Sequence, residues 1–236
     1  MKTTINTLFL FVSILLLSCG VGSKRISGTG PIIEDSRMLT TVNEIVLDGT
    51  MDVTLRAAEE QSIVVHAQAE VQPVLKTTVK GETLTISTEG NVSMGEGTYI
   101  AISIPMLKSV KTLGSGNVRG GGFSGDKLSV STTAPGDITL DELGYDDYEA
   151  KSTGSGNIIL AGRGNKLDAE TTAPGDINAS ALTVDKVKAT TKGSGDIMLS
   201  VGGELKAKIT GPGNITYDGS PKIDLEKTGS GELKGN

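Results

Sequence analysis

Apolar and polar residues alternate in short runs along much of the chain. Leu128-Ser129-Val130-Ser131-Thr132, Leu167-Asp168-Ala169-Glu170-Thr171, Val187-Lys188-Ala189-Thr190, Leu205-Lys206-Ala207-Lys208-Ile209 and Ile223-Asp224-Leu225-Glu226 all carry a period of two. That period predicts β-strands with one buried face. Shorter runs repeat it: Ile138-Thr139-Leu140, Ile158-Ile159-Leu160, Ile197-Met198-Leu199 and Ile215-Thr216-Tyr217.

A short glycine motif stands between the two kinds of run. Its copies begin with Gly114-Ser115-Gly116-Asn117-Val118, Ala134-Pro135-Gly136-Asp137-Ile138 and Gly154-Ser155-Gly156-Asn157-Ile158. They continue with Ala173-Pro174-Gly175-Asp176-Ile177, Gly193-Ser194-Gly195-Asp196-Ile197, Gly211-Pro212-Gly213-Asn214-Ile215 and Gly229-Ser230-Gly231-Glu232-Leu233. The second glycine falls at Gly116, Gly136, Gly156, Gly175, Gly195, Gly213 and Gly231, with spacings of 20, 20, 19, 20, 18 and 18. A constant period near 20 residues marks a solenoid or an array. Each unit reads strand, glycine corner, strand, polar turn. Stacked about 4.8 Å apart, each strand lies beside its copy in the next coil. Each coil then buries its apolar face only against its neighbours. The expected fold is all-β: a single-stranded, parallel β-helix-like solenoid of about 20-residue coils, with an N-terminal β capping section.

Glycine is expected to supply positive φ at these corners. Proline is barred from central strands but fits a corner, and Pro135, Pro174 and Pro212 all fall there. Ser and Pro alternate strictly from Ser115 to Ser230. Two arrangements accommodate this: coils of 20 residues with Ser and Pro corners in one stack, or coils of nearly 40 with the two classes on opposite edges. The flanking strands are interchangeable between the classes, which favours the first.

The first half is related but less regular. Asp48-Gly49-Thr50-Met51-Asp52-Val53-Thr54-Leu55 reads as a degenerate corner. Strand-like runs follow at Ile63–Ala67, Val74–Val79, Leu84–Ser87 and Tyr99–Ile104, with a hairpin turn at Lys80-Gly81-Glu82 and a stop at Pro105. Residues 39–110 are expected to cap the solenoid repeats of 111–236, the whole of 39–236 forming one domain. A cap covers apolar interior and unpaired strand edges.

Composition agrees with narrow coils. Of 236 residues, 32 are Gly, seven are aromatic and none is Trp, and twelve of the glycines lie in the seven corner motifs. Columns of Ile, Leu, Val and Ala would fill the interior, and Phe would overfill it. Seven Pro without a G-X-Y period exclude collagen. Glycine throughout excludes a coiled coil, and 36% apolar residues with a net charge of -6 oppose disorder. Without a Lys/Arg excess, nucleic acid is not an expected partner.

The N-terminus reads as an address. Lys2 precedes a mostly apolar run from Ile5 to Leu17, too short for a helix to span a hydrocarbon core of about 30 Å. It has the form of a secretory signal peptide. Leu16-Leu17-Ser18-Cys19-Gly20 follows, with the chain's only cysteine, and resembles a bacterial lipobox. The expectation is a leader of 1–18, cleavage between Ser18 and Cys19, lipid on the Cys19 thiol and a tether over 19–38. Position 20 is Gly rather than Asp, which points to the outer membrane.

Candidate chemistry is sparse. His66 is the only histidine and lies in an alternating apolar run, where packing accounts for it. No P-loop, dinucleotide fingerprint or nucleophile elbow is present, and the usual zinc sets are lacking. Neither a catalytic residue, a cofactor nor a metal site is expected. The corner series Asn117, Asp137, Asn157, Asp176, Asp196, Asn214, Glu232 could bind Ca²⁺ or sugar hydroxyls, or could satisfy turn backbone groups; the second reading is favoured. Asp137, Asp176 and Asp196 could serve a β-helix carbohydrate-active enzyme, but acid–base hydrolysis needs a localised pair of carboxylates in a cleft.

The run Ile45-Val46-Leu47, the stretch Ile102-Ser103-Ile104-Pro105-Met106-Leu107, the corner copies and the closing segment Ile209–Pro221 together resemble the head GIN domain family. Its members are known as putative auto-transporter adhesin heads and are common among Bacteroidetes lipoproteins. The resemblance covers about residues 40–233. It implies an all-β helix-like fold, an adhesive role and no catalytic residues to carry over. The tripeptide Gly-Ile-Asn itself is absent, and no translocator barrel is expected after the repeats.

The expectation is a non-enzymatic, lipid-anchored outer-membrane protein of the cell envelope, held by Cys19 and binding a glycan or protein ligand. The alternative is a periplasm-facing structural or envelope-sensing lipoprotein. The sequence gives no indication of oligomeric state.

Overall fold

The computed structural model describes residues 25–236. The expected leader, Ser18 and Cys19 lie outside the described residues. Of the tether expected over 19–38, Ile26–Ser27 and Ile32–Arg37 are instead strands of the fold. β1 (Ile26–Ser27) pairs in parallel with Val92–Ser93, and β2 (Ile32–Arg37) runs antiparallel to Ser62–Gln68. Arg37 pins β2 in place: its guanidinium donates to the carbonyls of Leu75 and Gln72 and pairs with Asp35 at 2.9 Å.

β3 (Glu44–Asp48) and β4 (Asp52–Ala57) form a coil around the degenerate corner. β5 (Ser62–Gln68), β6 (Leu75–Lys80), β7 (Thr83–Thr88), β8 (Val92–Ser93) and β9 (Tyr99–Ile104) follow. β7 and β9 pair in parallel with β3 and β4 and so add one more coil layer outside them. β6 and β5 then run antiparallel along β7 and β9. Between β6 and β7, Gly81 takes φ +62° in a two-residue turn. The chain therefore winds outward and returns, crossing back at Pro105–Lys108 to lay the next coil on the other side of β3 and β4.

That next coil comprises β10 (Ser109–Thr112) and β11 (Val118–Gly121). The regular solenoid continues through β12 (Ser124–Thr132), β13 (Ile138–Ser152), β14 (Ile158–Thr171), β15 (Ile177–Thr191) and β16 (Ile197–Ile209). It ends in β17 (Ile215–Asp218), β18 (Lys222–Lys227) and β19 (Leu233–Gly235). All neighbours from β10 onward pair in parallel. Val53, Val118, Ile138, Ile158, Ile177, Ile197 and Ile215 stand in one buried column. Every corner therefore falls in a single stack, which selects coils of about 20 residues, with Ser and Pro corners alternating one above the other.

The corner glycines serve a different purpose from the one expected. None of them has positive φ. A Cβ at Gly136 would lie 2.2 Å from the carbonyl oxygen of Gly116, and one at Gly156 would lie 2.2 Å from that of Gly136. The same contact recurs at Gly175, Gly195, Gly213 and Gly231, at 2.0–2.2 Å from the carbonyl of the glycine one coil before, while Gly116 meets the Met51 carbonyl. Glycine is required because backbone stacks on backbone, leaving no room for a side chain. Positive φ is used instead at the second bend of the coil, by Gly122 (+79°), Glu142 (+50°), Gly162 (+147°) and Gly219 (+114°).

The core is mostly aliphatic, with three buried aromatics, Phe123, Tyr145 and Tyr148. The expectation that coils exclude Phe fails at Phe123, and for the two tyrosines glycine on a neighbouring strand makes room. A Cβ at Gly164 would lie 2.4 Å from the Tyr148 ring. Both tyrosine hydroxyls are spent on carbonyls, Tyr145 donating to Leu107 at 2.5 Å and Tyr148 to Arg163 at 2.7 Å. Burial pushes the pKa of each hydroxyl upward.

In the final coil Ile223 and Leu225 extend the apolar columns but remain exposed. Lys227 stands in register with Ile209, in the column that holds Thr171 and Thr191 below it.

Candidate binding face

The corner edge is a continuous hydrogen-bond ladder. The second glycine N–H donates to the carbonyl of the first corner residue one coil before, as Gly156 does to Ala134 at 2.9 Å. The middle residue donates nothing to this ladder, so Pro135, Pro174 and Pro212 leave no bond unmade. Next comes the Asx series. Asp137 N–H donates to Asn117 Oδ1 at 3.0 Å, Asn157 to Asp137 at 2.7 Å and Asp176 to Asn157 at 2.9 Å. Asp196, Asn214 and Glu232 continue it at 2.8, 2.6 and 3.0 Å. Asp52 begins it, accepting from Asn117 at 3.0 Å. Each side chain thus serves the backbone of the following coil rather than its own turn.

A third column was not singled out from sequence. Thr112, Thr132, Ser152, Thr171 and Thr191 are fully buried. Their hydroxyls donate to second-glycine carbonyls, as Thr171 does to Gly175 at 2.8 Å and Ser152 to Gly156 at 3.0 Å. These carbonyls take no backbone donor. The sequence does carry a signal: strict alternation calls for an apolar residue just before the corner, and Ser or Thr stands there instead.

The remaining sequence candidates do not converge. Asp137, Asp176 and Asp196 are one per coil and committed to the ladder. His66 on β5 stacks on Tyr99, with ring centroids 4.2 Å apart, and its Nδ1 lies 3.5 Å from Glu34. Among the described residues no group of three or more His, Cys, Asp or Glu is placed to hold a metal ion. No described helix is long and apolar enough to cross a membrane.

What the coils do present is a charged sheet face on the outer side of the strands before the corner. One row runs Lys127, Asp147, Lys166, Lys186, Glu204 across β12 to β16. The next runs Ser129, Glu149, Asp168, Lys188, Lys206. A groove of about 450 Å³ lies between them. Most charges are paired: Lys127 with Glu149 and Lys188 with Asp168 at 2.9 Å, and Lys166 with Asp147 at 3.8 Å. These carboxylates raise the pKa of Lys127 and of Lys188. In a third row Glu170 takes both Lys192 and Lys151, and Lys192 foremost holds its carboxyl below the ordinary value.

The family described as "Putative auto-transporter adhesin, head GIN domain" matches residues 42–221. No curated protein sequence matches the chain. Among solved structures, a putative adhesin from Bacteroides fragilis is similar at 23% identity and TM-score 0.85, over 89% of this chain and 100% of that one. A putative adhesin from Parabacteroides merdae is similar at 22% identity and TM-score 0.72, over 90% and 99%. A protein from Parabacteroides distasonis described as a putative lipid binding protein is similar at 21% identity and TM-score 0.71, over 90% and 100%. At these identities the likeness is one of fold.

Proposed function

The chain belongs to the head GIN domain family, and we propose that it is a lipid-anchored, adhesin-like protein of the cell envelope, a non-enzymatic module that binds glycan or another envelope component. The observation that carries this reading is the charged face itself, where rows of Lys, Asp and Glu recur from coil to coil. Repeated shallow contacts suit weak, multivalent recognition. The corner carboxylates are occupied by backbone donors, which leaves them poorly suited to acid–base chemistry.

Cys19 supplies the anchor in this reading. Each buried acyl CH₂ contributes about 0.8 kcal/mol, so two or more chains hold the protein firmly. Cys19→Ala is expected to move the protein from the membrane to the soluble fraction; continued membrane retention overturns the anchor. Protease shaving of intact cells is expected to degrade the solenoid. Its protection, with surface controls cleaved, would replace adhesion by a periplasm-facing structural or sensing role.

A further inference from the structure

Across the charged face, most residues directly opposite on neighbouring strands carry unlike charges. Asp147 faces Lys166, Asp168 faces Lys188, and Lys151 faces Glu170. Glu149 and Asp168 are like-charged neighbours, but each holds its own lysine at 2.9 Å. Two lysine pairs break the pattern: Lys166 opposite Lys186, and Lys188 opposite Lys206. In each, one member reaches a carboxylate, Lys166 to Asp147 and Lys188 to Asp168. Lys186 and Lys206 are within 4.0 Å of no carboxylate among the described residues, although Glu204 and Asp224 stand opposite them in register.

Like charges directly opposite on adjacent strands destabilise a sheet. Local rules broken without local compensation concentrate where a protein binds something. Both ammonium groups that have no described carboxylate within 4.0 Å line the same groove, on opposite banks and on adjacent strands. The groove crosses β12 to β16, five strands and roughly 19 Å at the usual strand spacing. One coil step is close to the length of one sugar ring in an extended chain. The β14–β16 half carries four lysines against Asp168 and Glu204, whereas the β12 end carries Asp147 and Glu149 against Lys127.

We propose that the groove between Lys186 and Lys206 binds an extended acidic glycan, with carboxylate or sulfate groups of its sugars seated between the paired lysines. This rests on the glycan-binding reading above and names the ligand's charge and its place. The ligand adds counter-charge at the β14–β16 half, where lysines outnumber carboxylates, and the coil spacing sets the sugar repeat.

The test uses the full-length chain purified in detergent. Binding of polygalacturonate, chondroitin sulfate and neutral dextran is measured by titration calorimetry, alongside anionic phospholipid vesicles. At least one acidic polymer is expected to bind, more weakly as salt rises. Lys186→Gln with Lys206→Gln should lower that affinity at least tenfold without lowering the thermal midpoint. The equal charge change Lys80→Gln with Lys111→Gln should leave it within twofold. Undiminished binding by the groove variant, or dextran bound as well as the acidic polymers, overturns the groove while the glycan-binding reading stands. Binding to vesicles but to no polymer, or no binding at all, overturns the groove and the glycan half of that reading together.

Discussion

Asp137 Oδ1 accepts the backbone N–H of Asn157 at 2.7 Å, one full coil further along the chain. The bond couples a side chain to a donor that its own turn does not contain. Asp137→Leu leaves that donor unpaired at a part-buried position, at a cost of about 1–3 kcal/mol. Asp137→Asn keeps the accepting oxygen and should lose under about 1 kcal/mol. Urea denaturation midpoints of the two variants against wild type check this order.

Gly156→Ala and Gly144→Ala should move stability in opposite directions. The first places a Cβ 2.2 Å from the Gly136 carbonyl oxygen and 2.8 Å from that of Ala134, and neither can yield without separating coils. The expected cost is about 3 kcal/mol. The second meets nothing nearer than the Ser124 Cβ at 3.5 Å and lacks positive φ. It should gain about 0.5 kcal/mol by restricting the unfolded chain. Thermal melts of both variants read the difference.

Glu142 is the one described non-glycine residue with positive φ, at +50°. In the neighbouring coils Gly122 and Gly162 hold positive φ at the same bend. Replacing Glu142 by Gly removes a left-handed strain of about 1 kcal/mol. The variant should be more stable by up to that amount, and an unchanged denaturation midpoint would show that the bend relaxes around the side chain.

Glu170 should make stability fall in acid. Its folded pKa lies below the ordinary 4.5, chiefly through Lys192, with Lys151 adding to the effect. A depressed carboxylate stabilises the fold above its unfolded pKa and loses that contribution as pH drops through its folded value. The loss therefore begins near pH 4.5 and grows below it. Glu170→Gln should be less stable than wild type at pH 7, and the gap should narrow as pH falls below 4.5. Chemical denaturation at pH 7 and at steps below pH 4.5 measures it.

The stacked corner was plain in the sequence because its register is written into a period. Gly116 through Gly231 mark the coils, and Ile138, Ile158 and Ile177 mark the column behind them. Why those residues are glycine was not legible. A glycine needed for positive φ and one needed for close approach look identical in sequence, and the Gly136 carbonyl that crowds Gly156 belongs to another coil. Chain order misled in the first half. β3 and β4 lie between a coil formed later, β7 with β9, and another later still, β10 with β11. The tether estimate failed at Ile32–Arg37, whose partner strand lies some thirty residues on. The charged face was visible only as alternating Lys, Asp and Glu. Which lysines oppose each other depends on coil lengths of 18 to 20 residues and on the bulges between β13, β14, β15 and β16.

A stack of parallel coils, each templating the next through backbone and Asx oxygens, has the geometry of a fibre, and nothing in such a ladder limits its growth. Two residues of the β18–β19 coil depart from the pattern. Lys227 takes the register position of Thr191 and Ile209 in the coils before it, so a further coil stacked there would have to cover a lysine. Glu232 takes the Asx position with a longer side chain, one of whose carboxylate oxygens pairs with Lys234 at 2.8 Å. Charge at these two positions makes the outer edge of this coil a costlier template for the edge of another molecule.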